Sequence, residues 1–134
     1  AAFHSDHSQR IADVVFIHGL QGSFFSTWMV QQPNSDYHHV VCWPATYLPA
    51  YLHAHGADYP VRILSVGYHA RMRKASSPHP TLSVAEQASE LRNQLESAGI
   101  GERPVVFVTH SMGGLIVKEM LVEDSKWALA VAVT

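Results

Sequence analysis

The chain has 134 residues, of which 47% are hydrophobic and 15% charged, and its formal net charge is −2 with histidines neutral. That length holds at most one domain, and that composition is of a chain able to bury a core rather than a disordered one. The charge balance argues against nucleic acid as a partner, which calls for clustered Lys and Arg; the one basic cluster, Arg71-Met72-Arg73-Lys74, reads as a solvated loop.

Residues 1–11 have no basic start and no apolar core, so they read as a flexible segment and not as a signal peptide. Ala12 to Ile17 is an apolar strand, and His18-Gly19-Leu20-Gln21-Gly22 follows it as a glycine-rich loop. Ser23 to Gln32 reads as a short helix or an apolar loop, and Pro33-Asn34-Ser35-Asp36 as a turn. Cys42-Trp43-Pro44-Ala45 leads into a short helix over Thr46 to His53. Cys42 is the sole cysteine, which excludes an internal disulfide and fits a reducing compartment. Val61 to Tyr68 is a second core strand, and Arg71 to Pro80 a polar loop. A helix starts at Ser83, where Ser83 and Glu86 form an S-x-x-E capping box. Val84, Ala88, Leu91 and Leu95 give it one buried face, and Gly99 stops it. Val105 to Val108 is a strand, an apolar helix runs on to Leu121 and beyond, and Trp127 to Thr134 reads as a last buried strand.

Strands alternating with helices predict an α/β fold: a mostly parallel sheet between two helical layers. The strands are continuous apolar runs, as strands covered on both faces should be. No apolar run reaches transmembrane length, and there is no internal repeat.

The chemistry concentrates in Thr109-His110-Ser111-Met112-Gly113-Gly114, between the Val105–Val108 strand and the apolar helix. Strand, tight turn with a central serine, then helix is the layout of a nucleophile elbow. Such a turn lifts the Ser111 hydroxyl clear of the sheet, and the helix start aims backbone N–H groups at the same spot. Thr109 stands where the first glycine of G-x-S-x-G usually sits, while Gly113 and Gly114 keep the far side small. Acyl transfer needs N–H donors aimed at a developing oxyanion. One such donor follows the nucleophile and one comes from the loop after an earlier strand, which points to Met112 and Leu20. Gly19 and Gly22 let that loop approach closely, and His18 before it reads as structural. Phe24, Trp28 and Tyr68 either line an acyl pocket or belong to the core.

These motifs make the chain resemble the α/β-hydrolases. The closer resemblance is to serine-active-site lipase-like proteins linked to phosphatidylglycerol remodelling. It is carried by DVVFIHGLQG (Asp13 to Gly22), Cys42-Trp43-Pro44 and RPVVFVTHSMGGLIVKEML (Arg103 to Leu121). The resemblance implies a three-layer α/β-hydrolase-type fold and a serine enzyme that hydrolyses or transfers an acyl group of an ester, with a lipid as substrate. It also implies peripheral membrane association and an intracellular location at mitochondria or endoplasmic reticulum. No cofactor is implied.

A serine nucleophile needs a base oriented by an acid, and in α/β-hydrolases both follow the serine in the chain. All ten histidines precede Ser111, and the acids that follow it, Glu119, Glu123 and Asp124, read as solvated charges on or just past the helix. His110, next to Ser111, is expected to point elsewhere. His53 and His55 lack a third ligand at metal-binding spacing, so no metal site is assigned. Residues 12–134 are therefore expected to be the N-terminal part of a hydrolase domain, incomplete in its C-terminal strands, with His and Asp supplied by the rest of the parent chain. Alone, the chain is expected to be inactive. The alternative is a non-catalytic hydrolase-fold module that binds lipid or protein.

Overall fold

The computed structural model describes residues 10–32, 40–56, 60–68, 82–123 and 130–133. Its frame is a parallel four-stranded sheet. Strand β1 (Ala12–Ile17) pairs on one side with β4 (Val61–Val66) and on the other with β5 (Val105–Thr109), and β5 pairs with β6 (Ala130–Val133), giving the order β4-β1-β5-β6. The parallel strands require crossovers, and helices supply two of them. Helix α3 (Val84–Ser97) precedes β5 and helix α4 (Met112–Glu123) follows it.

Alternation along the strands divides the core in two. Val15 and Ile17 of β1 and Val105 and Phe107 of β5 face α3 and α4, meeting Ala88, Leu91, Leu95, Ile116, Val117 and Met120. Phe16 and Ile63 face the other way, toward Trp28 and Cys42. There Phe16 meets the Trp28 ring at 5.0 Å and the Trp43 ring at 5.3 Å, both edge-on, the arrangement that aromatic quadrupoles favour. Helices on one face, the sheet, and a mixed layer on the other make three layers.

The mixed layer departs from expectation. Of Ser23 to Gln32, only Ser26–Trp28 makes a single 3-10 turn, and Met29–Gln31 is a strand, β2, antiparallel to β3 (Val40–Cys42). Strands of three residues are too short to display an alternating pattern, and their pairing spans residues 33–39, outside the described set. The helix expected over Thr46 to His53 comes as two, α1 (Trp43–Thr46) and α2 (Leu48–Ala54). Pro44 and Pro49 explain the break: each lacks an N–H and sits in a first helical turn, where none is needed.

Two termini of α3 match the sequence closely. Ser83 Oγ accepts from Glu86 N–H at 3.2 Å, while Glu86 Oε2 accepts from Ser83 N–H at 2.6 Å, closing the capping box. Those Ser83 bonds hold the Glu86 carboxyl below its usual pKa. At the other end Gly99 takes φ +71, Ile100 N–H reaches Leu95 O and Gly99 N–H reaches Glu96 O, the paired bonds of a Schellman motif.

That helix end is tied to the sheet by a buried ion pair. Asp13, fully buried, accepts from Arg62 Nε at 2.7 Å and from Nη2 at 3.0 Å. Arg62 also donates to the carbonyls of Ala98 and Gly99. The bond to Asp13 raises the Arg62 pKa above its ordinary value, against the opposing effect of burial. The pair clamps β1, β4 and the end of α3.

Of the 1–11 segment, residues 1–9 lie outside the described set, and Ile11 N–H already bonds to Pro60 O at 3.0 Å. The expected turn at Pro33 to Asp36 and the loop from Arg71 to Pro80 also lie outside it. No helix among the described residues is long and apolar enough to cross a membrane.

Candidate active site

Parallel pairing of β1 with β5 in the register Ile17↔Thr109 ends both strands at one level. The loops that leave them, starting at His18 and His110, must therefore meet. His110 N–H bonds to Ile17 O at 3.0 Å and carries the pairing one step past the strand. The chain then turns sharply at Ser111, whose φ is +54. A non-glycine residue in this left-handed region is strained, a cost of order 1–3 kcal/mol that tight local packing must hold in place. Gly113 N–H to His110 O (3.1 Å) and Gly114 N–H to Ser111 O (3.0 Å) close the turn into α4. Ser111 is exposed and Thr109, in the place usual for glycine, is buried at the strand end.

Two glycines allow the loops to touch. A Cβ on Gly113 would stand 2.7 Å from both Ile17 O and His18 O. A Cβ on Gly19 would stand 2.8 Å from His110 O and 2.8 Å from Ser111 Cβ. The backbone of the first loop thus lies directly against the side chain of Ser111. That loop is itself a closed turn: Gly22 N–H bonds to Gly19 O at 3.2 Å, with Gln21 at φ +56. Met112 opens α4, and the Leu20 and Met112 N–H groups are not the donors of these turn bonds.

His18, 2% exposed, underlies the loop. Its Nδ1 lies 2.9 Å from Gly19 O. A carbonyl only accepts, so Nδ1 carries the proton and Nε2 is left as an acceptor, facing Tyr68 N–H at 3.4 Å. Tyr68 Oη donates to His18 O at 2.6 Å, and the two rings stack at 4.6 Å. Burial pushes the Tyr68 phenol up to about 12.

The residues assigned to either an acyl pocket or the core separate. Trp28 is a core residue, 6% exposed and packed on Phe16, so its pocket role is corrected; its indole N–H has no acceptor among the described residues. A hydrophobic side chain at the start of a hairpin covers the sheet instead of standing at its edge. Phe24, 42% exposed, does line a cavity of about 260 Å³, together with Ser23, Gly67 and, across from them, Glu90 and Gln94 of α3. Tyr68 and His18 form its inner wall. Ser111 does not line it. Glu90 and Gln94 were not singled out from sequence; their signal is a polar stripe on α3 beside the buried Ala88, Leu91 and Leu95 positions.

The Nδ1 of His110 lies 3.1 Å from the Cβ position of Gly19, so its ring turns toward the first loop. Glu119 lies eight residues along α4 from Ser111, about 12 Å at helical rise, too far to orient a base there. Glu123 ends α4, and Asp124 is outside the described residues. No three His, Cys, Asp or Glu side chains converge for a metal among the described residues.

The alpha/beta hydrolase family model matches residues 14–133. The chain belongs to that family. It is similar to Protein SERAC1 of Bos taurus (42% identity over 127 residues, 86% of this chain) and of Homo sapiens (41% over 126 residues, 85% of this chain). It spans 18% of the length of these curated relatives. Among solved structures, a proposed non-heme bromoperoxidase, BpoC from Mycobacterium tuberculosis, superposes with a TM-score of 0.53 at 23% identity, over 98% of this chain and 39% of that one. The type II thioesterase YbtT of the yersiniabactin pathway gives 0.53 at 22%, over 97% of this chain and 43% of that one. These likenesses show the hydrolase fold, with the parallel sheet and its flanking helices, as a part of the larger fold those chains contain.

Proposed function

We propose that this chain carries the nucleophile and oxyanion half of a serine ester hydrolase site. The observation that supports this most is Ser111: exposed, at φ +54 on a strand-to-helix turn, with Gly19 of the first loop packed against its Cβ. Ser111 Oγ attacks the ester carbonyl and its proton passes to a base. The Leu20 and Met112 N–H groups hold the oxyanion, each such donor contributing roughly 10²–10³ in rate. Collapse expels the alcohol, which takes the proton back, and water or an acceptor alcohol then frees the acyl group. The base and its acid come from protein outside these 134 residues, since residues 112–134 hold no histidine. The substrate is a lipid ester, a reading supported by the exposed Phe24 and Phe25 beside the loop and by the family resemblance. On the same resemblance the enzyme works at a membrane surface in mitochondria or endoplasmic reticulum.

The second reading is a non-catalytic lipid- or protein-binding module. It is favoured by the cavity beside Tyr68, which Ser111 does not line. A fluorophosphonate probe on the intact protein separates the two. The serine-hydrolase reading expects labelling that Ser111→Ala abolishes; equal labelling of the variant, or none of the wild type, sinks it.

A further inference from the structure

The proposed oxyanion donor on Leu20 has no side chain to hold it, so something must fix the plane of its peptide. The Gly19–Leu20 peptide is trans, which sets the Gly19 carbonyl and the Leu20 N–H on opposite sides. Whatever pins the carbonyl therefore aims the N–H. Two donors pin it: Gly22 N–H from within the turn and His18 Nδ1–H from beneath.

A neutral imidazole that donates from Nδ1 presents Nε2 as an acceptor, and the Tyr68 N–H meets that acceptor. The Tyr68 N–H stands at Nε2, its ring stacks on the imidazole, and its hydroxyl holds the His18 carbonyl. Tyr68 lies 50 residues away in sequence, just past the end of β4, and is 9% exposed. Neither the Tyr68 nor the His18 side chain is hydrogen-bonded to Ser111. We propose that Tyr68 and His18 form a clasp that positions the Leu20 N–H for the oxyanion, Tyr68 setting the tautomer and orientation of His18, and His18 setting the peptide.

Both are positioning residues, and the assignment rests on the serine chemistry proposed above. It differs from a packing role in two respects. A packing role has no interest in which ring nitrogen carries the proton, and it moves stability and not the balance between kcat and KM. The absence of Tyr68 ionisation at working pH fits the clasp, because the hydroxyl must remain a donor.

The test uses the intact protein with p-nitrophenyl butyrate as substrate. Tyr68→Phe removes the hydroxyl bond alone and lowers kcat about 10-fold, with KM held within about twofold, because a donor misplaced by a fraction of an ångström is lost mainly in the transition state. His18→Ala lowers kcat about 100-fold. His18→Asn, whose amide N–H takes the place of Nδ1–H, recovers about tenfold of that loss. Hydrogen exchange of the peptide covering residues 19–22 quickens in Tyr68→Phe while exchange in β1 and β5 does not. Wild-type kcat together with wild-type exchange in Tyr68→Phe overturns the clasp, as does equal activity of the Asn and Ala variants. If Ser111→Ala leaves hydrolysis unchanged, the serine reading fails; the exchange result still decides whether the clasp holds the loop.

Discussion

Gly19→Ala probes the point where the two loops meet. The added methyl would lie 2.8 Å from a backbone carbonyl oxygen, His110 O, and 2.8 Å from Ser111 Cβ. Carbon atoms rest comfortably at about 3.5–4.0 Å, so the loops must part by about 0.7–1.2 Å. Neither neighbour is the free end of a flexible side chain, which removes the easy way to yield. Overpacking of this kind costs about 1–3 kcal/mol of stability. The catalytic loss is larger in proportion, because a displacement near 1 Å at reacting groups lowers rate about 10²-fold. The pair of measurements is thermal unfolding of the intact variant and its rate of fluorophosphonate labelling at Ser111. The expected result is a folded protein, lower in Tm by several degrees, that labels about 100-fold more slowly. A folded variant labelling at the wild-type rate would refute the claim that this contact sets the site.

Asp13→Asn leaves the Arg62 guanidinium buried without its anion, which is expected to destabilise by about 3–5 kcal/mol, read from the denaturation midpoint, while the spacing of the distant Ser111 turn is unaffected. The Tyr68 phenol gives stability a signature in alkali. Its folded value, about 12, lies above its unfolded value near 10, so below pH 10 its contribution is whole, and it declines as pH rises from 10 to 12, by at most about 2–3 kcal/mol. Urea unfolding across that range should show a steeper decline in wild type than in Tyr68→Phe. Glu86 behaves in the opposite sense: its carboxyl is held low by Ser83, so the capping box stabilises α3 at neutral pH and is lost as pH falls through the carboxylate range. Ser83→Ala should cost about 1 kcal/mol at pH 7 and less at pH 3.

The core fold was legible because its elements are long and local. Val105 to Val108 and Val14 to Ile17 are unbroken apolar runs, as strands covered on both faces should be. The α3 boundaries were legible for the same reason: a capping box and a C-terminal glycine act within four residues of themselves. The β2–β3 hairpin was not, since each strand contributes three residues, too few for an alternating pattern to identify the flanks of the turn signal at Pro33 to Asp36 as strands. Ser111 was found because its motif is contiguous. Its surroundings were not, because Tyr68, His110 and Gly19 converge only through the register of β1 against β4 and β5. A sequence shows that His18 precedes a glycine loop; it does not show that a tyrosine 50 residues later fixes its proton.

The described imidazoles can each be judged as the base. His18 has both nitrogens engaged, by Gly19 O and by Tyr68 N–H, and is buried. His53 and His55 sit at the end of α2 in the opposite layer, and His55 directs Nδ1 to Tyr51 O and stacks on the Tyr51 ring at 4.0 Å. His110 precedes Ser111 in the chain, and its Nδ1 lies against the Gly19 position of the first loop. A triad base is recognised by geometry and needs a third group to hold its tautomer. No carboxylate is hydrogen-bonded to His110 among the described residues, and Glu119 is about 12 Å along α4 from the turn. His110 is therefore expected to flank the nucleophile without activating it. His110→Ala should keep Ser111 labelling within about fivefold of wild type, whereas loss of a true base removes about 10⁴-fold or more. A loss on that larger scale, with the variant folded, would make His110 the base and would remove the need for one from outside these residues.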